Sequence, residues 1–114
     1  MYSTLKQSDH ANSITLLALY CILFRKIDAQ KIIHIVKNVR PQPVTFRDIG
    51  SGPCPYGVTV EDLCNALTKA LDTAVFKKDV FNWQQYQVYQ QPENGNITEV
   101  LLGKLFASPS PVDP

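Results

Sequence analysis

The sequence predicts an α+β fold, with two to three helices packed on a small antiparallel sheet that closes with a C-terminal β-hairpin. Three observations carry that expectation. Val60, Leu63, Leu67, Leu71 and Ala74 form one helical stripe behind Thr59. Residues 14–24 are apolar except for Thr15. A Gln/Tyr-rich run at 81–90 and an apolar run at 97–106 flank Asn94-Gly95, a strong hairpin signal between strands.

Residues 1–12 are polar and read as a flexible N-terminus ahead of a single domain at 13–107. Ser13 is a candidate N-cap for a first helix reaching Lys26. That helix is apolar nearly all round, which implies packing on more than one side or contact with a second subunit. At eleven residues the run 14–24 is too short for the about 20 that span a bilayer. Asp9, His10 and Asn12 before it, with no small-residue cleavage site after it, do not make a signal peptide.

Asp28 can cap a second helix through Val39, with Ile32, Ile35, Val36 and Val39 at i, i+3, i+4 and i+7. Its β-branched content also suits a strand over 31–36. Arg40-Pro41-Gln42-Pro43 stops either one. Residues 44–49 alternate weakly as a short strand, and 50–57 form a Gly/Pro loop. Thr59 and Asp62 then resemble a capping box, with Glu61 and Asp62 at the positive end of the third helix and Lys77 and Lys78 beyond its negative end.

The expected hairpin covers about 80–106, with a bulge near Gln84-Gln85 gathering Phe81, Trp83, Tyr86 and Val88 on one surface. Asn96 to Glu99 also matches a capping box, so a helix competes with the second strand there; Gly103 weighs against it. Residues 108–114 read as a disordered tail. The expected core is Leu16, Leu17, Tyr20, Leu23, Phe24, Ile32, Ile35, Val36, Leu63, Leu67, Leu71, Val100 and Leu102.

The chain has 114 residues, 45% of them hydrophobic and 18% charged, with a formal net charge of +1. That balance argues against a dominant electrostatic partner. Cys21, Cys54 and Cys64 form no disulfide framework; reduced thiols and a cytoplasmic setting follow. Cys54 with His34 would be the one Cys–His pair for nucleophilic chemistry, but nothing in the spacing brings them together. No Cys or His spacing suits a metal, and no cofactor is expected. Gly50-Ser51-Gly52 lacks the Lys-Ser/Thr of a phosphate loop, and Pro53 and Pro55 remove two backbone donors.

The element order is compatible with a winged helix that would bind nucleic acid through Thr68, Lys69, Lys77 and Lys78 beside the third helix. Against it, Glu61 and Asp62 occupy the helix start, and the wing tip carries Glu93 without a cation. The sequence favours a non-enzymatic regulatory or accessory protein, an adaptor or stoichiometric inhibitor. It would bind an unidentified protein partner through Trp83, Gln85, Tyr86, Gln87 and Tyr89 of the hairpin, because aromatic side chains dominate binding hot spots. The competing expectation puts Trp83, Tyr86 and Val88 in the core. A homodimer through the first helix or the sheet edge is expected, and no membrane.

Overall fold

The computed structural model describes residues 4–47, 52–101 and 103–110. The chain divides into two compact units, Met1–Lys69 and Ala70–Pro114, where the sequence suggests one domain. The α+β class holds: the described residues form four α-helices and a two-stranded antiparallel sheet.

In the first unit, α1 (Thr4–Leu23) begins inside the segment expected to be flexible. The reason lies at Ser13. Its hydroxyl donates to the Asp9 carbonyl at 2.8 Å, a bond back along a helix already under way rather than a cap for one about to start. The helix ends where Lys26 turns left-handed (φ 56°) and the Ile27 N–H reaches back to the Cys21 carbonyl at 3.2 Å.

α2 (Ala29–Asn38) forms as its cap predicts. The Asp28 carboxylate accepts from the Lys31 N–H at 3.2 Å, and the burial of Ala29, Ile32 and Ile33 gives it a helical rather than a strand period. Its last carbonyls are met by side chains: Asn38 donates to the His34 carbonyl, while Arg40 and Gln42 both donate to those of Lys37 and Val39.

The short strand expected at 44–49 reduces to one bridge. Phe46 and Val58 exchange both backbone bonds at 2.8 Å, while Asp48 and Ile49 lie outside the described residues, as do Gly50 and Ser51 of the loop. Gly57, beside the bridge, runs so close to Thr45 that a Cβ would sit 2.8 Å from the Thr45 Cβ. α3 (Val60–Asp72) follows the Thr59 cap.

The core of the first unit is Ala11, Ala18, Ile22, Ala29, Ile32, Ile33, Val60 and Cys64. Of the expected core, Ile32 is buried, and Leu23, Val36, Leu63, Leu67 and Leu71 are half-buried. Leu16, Leu17, Tyr20, Phe24, Ile35 and, in the second unit, Val100 are exposed; Leu102 lies outside the described residues. The correction on α1 is a matter of phase. Small residues, Ala11 and Ala18, line its inner face with Ile22, and the large ones fall on the opposite side.

The second unit departs most from expectation. The Gln/Tyr run is not the first strand of a hairpin but α4 (Trp83–Tyr89). Asn82 caps it, its side-chain oxygen accepting from the Gln85 N–H at 3.0 Å. Glutamine is a good helix former, so the cap outweighs the β-preference of Trp, Tyr and Val. Asn94-Gly95 is no hairpin turn either. It ends a 3₁₀ turn at Pro92–Asn94, where Gly95 (φ 88°) donates to the Pro92 carbonyl at 3.0 Å.

The hairpin lies wholly within the apolar run: β1 (Thr98–Leu101) pairs with β2 (Leu105–Ala107), in register Thr98↔Ala107 and Glu99↔Phe106. Residues 97–106, expected as one strand with a helix competing, hold β1, a turn and most of β2 instead; Asn96 sits at φ 48°, outside any helix start. Gly103 (φ 66°) supplies the turn. With these elements the winged-helix order is not reproduced: the residues cast as the wing's first strand are helical. Residues 108–110 have no regular structure, and the rest of the expected tail, 111–114, lies outside the described residues.

Candidate partner-binding surface

α4 and the hairpin of the second unit enclose a cleft of about 230 Å³. Its apolar lining includes Val75, Phe76, Phe81, Tyr86, Tyr89, Ile97 and Val100, and Lys77, Asn82, Gln85 and Glu99 contribute polar groups. Tyr86 is the hub. Its ring stacks on Trp83 with centroids 5.7 Å apart and meets Phe81 at 5.6 Å. The strand side is tied to the helix by the Ile97 N–H, which donates to the Tyr89 carbonyl at 2.8 Å. The Asn94 side chain also donates to the Val88 carbonyl at 2.8 Å.

An apolar cleft with polar groups of both signs can take an apolar side chain and fix the chain that carries it. Of the residues singled out in the sequence, Gln85, Tyr86 and Tyr89 meet at this cleft. Trp83 stands beside it, 53% exposed, stacked on Tyr86. Gln87 is exposed and does not line the cleft; its carbonyl accepts from the Gln91 side chain at 3.1 Å. The competing core reading fits Tyr86, which is half-buried, and fails for Trp83 and Val88, which are exposed. Sequence reasoning missed the opposite wall, Val75, Phe76 and Ile97. The paired apolar residues Val75-Phe76 and Val80-Phe81 were the available signal.

The other candidates fall elsewhere. Thr68 is half-buried, and its hydroxyl donates to the Cys64 carbonyl at 2.9 Å, which leaves it poorly placed to read a base. Lys69 is exposed at the end of the first unit; in the second unit Lys77 lines the cleft, and Lys78 lies 3.7 Å from Asp79. The Cys54 thiol donates to the Tyr56 carbonyl at 3.1 Å, and His34 is exposed on α2. Cys64 is fully buried, and that burial, reinforced by nearby Glu61, pushes its thiol above the usual range, away from nucleophile chemistry. Among the described residues no cluster of three or more His, Cys, Asp or Glu could hold a metal ion. None of the described helices is long and apolar enough to cross a membrane.

Residues 1–70 match the family model described as "Dual specificity protein phosphatase, N-terminal half". The dual specificity protein phosphatase CDC14A of Mus musculus is 27% identical over 111 residues, covering 96% of this chain and 18% of that protein. The tyrosine-protein phosphatase CDC14 of Saccharomyces cerevisiae is 26% identical over 110 residues, covering 96% of this chain and 20% of that protein. Its namesake in Candida albicans is 24% identical over 110 residues with the same coverage. The chain spans about a fifth of the length of these curated relatives. The family match coincides with the first unit, whereas the cleft belongs to the second.

Proposed function

The chain belongs to the family of N-terminal halves of dual specificity protein phosphatases, and from that premise we propose that it is a small non-enzymatic regulatory or accessory module. It works by binding another protein, as an adaptor or stoichiometric inhibitor, and the cleft between α4 and the hairpin is its contact surface. The aromatic lining of that cleft carries the reading: Tyr86 anchors it, and Trp83 and Tyr89 offer large, stiff contact area at its edge. The engaged Cys54 thiol and the buried Cys64 support a role without covalent chemistry.

The test uses the full chain and its Trp83→Ala and Tyr89→Ala variants in pull-downs from native extract, with and without nuclease. Each variant is expected to lose a nuclease-resistant protein partner by about tenfold or more, the scale of a hot-spot truncation. Their melting behaviour should stay near the parent's, since both side chains are exposed. Capture that vanishes with nuclease, capture indifferent to both variants, or phosphoester hydrolysis that disappears in Cys54→Ser would overturn the reading.

A further inference from the structure

We propose that the corner between α1 and α2 is a second docking site, independent of the cleft, whose occupant is an acidic amphipathic helical segment of a partner protein. The outer face of α1 carries Leu16 (73% exposed), Leu17 (64%), Tyr20 and Phe24, with the Tyr20 and Phe24 rings 5.1 Å apart. Leu16, Tyr20 and Phe24 follow at intervals of four, one exposed stripe opposite the buried Ala11, Ala18 and Ile22. Ile27 extends it past the helix end.

The stripe runs directly into positive charge. Arg25 and Lys26 follow Phe24, and Lys31 and His34 lie one turn apart on the exposed face of α2. The side chains of Arg25, Lys26 and Lys31 make no ion pair or hydrogen bond among the described residues. Residues 25–47 hold six cations, Arg25, Lys26, Lys31, Lys37, Arg40 and Arg47, against one acid, Asp28, and of the six Lys37 is paired with Glu61 at 2.9 Å.

The helix dipole explains cations just past the end of α1. It does not explain Lys31, which sits in the first turn of α2 where the dipole disfavours a positive charge. Asp28 caps the helix through the Lys31 N–H and offsets one of these cations, leaving the segment with an excess of positive charge.

Charge complementarity selects the occupant. A nucleic acid needs cations along the contact, and here the contact is apolar. A bilayer surface favours a helix with cations along its polar face, yet the other end of this stripe carries Asp9 and Ser13. A helix with an apolar seam and a carboxylate-rich end fits both parts at once, in the helix-in-groove manner.

The test is fluorescence anisotropy on the full chain with a labelled Leu/Glu amphipathic peptide of about 18 residues, five helical turns, and a Leu/Lys peptide of the same pattern. The Leu/Glu peptide is expected to bind at least about tenfold more tightly than the Leu/Lys peptide. The pairs Arg25→Glu/Lys31→Glu and Leu16→Asn/Tyr20→Asn should each weaken it by about as much, with far-UV circular dichroism unchanged. Trp83→Ala, which damages the cleft, should leave it unaltered. Equal affinity for the two peptides, no binding of the Leu/Glu peptide, preference for phosphatidylserine vesicles, or a dimer in sedimentation velocity abolished by Leu16→Asn/Tyr20→Asn would each overturn the proposal.

Discussion

The Asp62 carboxylate ties together the start of α3. It accepts from the Thr59 N–H at 2.8 Å and the Thr59 hydroxyl at 2.7 Å, and the Tyr56 phenol lies near enough to interact with it. The Thr59 bonds hold the carboxyl below its usual range, while hydrogen bonding and charge from Asp62 push the Tyr56 phenol above its own. A carboxyl depressed in the folded state stabilises fully above the unfolded value of about 3.9 and loses that effect as pH falls through the lower, folded value. The raised phenol works in reverse, stabilising below about 10 and fading as pH climbs through its folded value. Asp62→Asn is therefore expected to lower the melting temperature at neutral pH and to flatten its acid limb, which thermal melts across pH would show. Thr15 tells the opposite story. Its Oγ1 is buried with no partner among the described residues, so Thr15→Val should raise stability, by about 1 kcal/mol, in denaturant titrations.

Element by element, the helices that announced their own start were legible. Asp28 and the Thr59–Asp62 pair are local devices, complete within four residues, and α2 and α3 begin where they say. α1 was misplaced because Ser13 has two uses, and only the structure shows its hydroxyl turned backward to Asp9. α4 was lost to a conflict of scales: Trp, Tyr and Val favour strands, and Asn94-Gly95 advertised a hairpin, while a single Asn82 cap and the Tyr86 ring contacts decided for a helix. The residues at 83–89 were thus assigned the wrong conformation, a strand where the structure has α4. Asn82→Ala removes that cap at a cost of about 1 kcal/mol. Helicity should fall in circular dichroism, and the Trp83 fluorescence should shift as its stack on Tyr86 loosens.

Over the whole molecule, burial is uneven. All eight buried hydrophobic residues among those described lie in the first unit, and the second is held by the half-buried Tyr86, helix caps and a short hairpin. Opening free energies should follow that division, so hydrogen exchange is expected to strip the amides of α4 and the hairpin before those of α2 and α3. A disulfide-exchange reagent supplies a second reading: Cys21 and Cys54, half-buried, should react in the native state, and Cys64 only on unfolding. The family relationship was not legible at all, because it rests on a match along residues 1–70 and identities of 24–27% over 110–111 residues rather than on any short motif that the sequence reading recognised. The placement of α1 has one more consequence. With Ala11, Ala18 and Ile22 inward and Leu16, Leu17, Tyr20 and Phe24 outward, folding leaves the larger side chains of one face of this helix in water, a burial gain still open to an occupant of the proposed docking site. By mass action, binding there would raise the melting midpoint as the concentration of the Leu/Glu peptide rises, so thermal melts with and without that peptide would register the same exposed stripe as a stability difference.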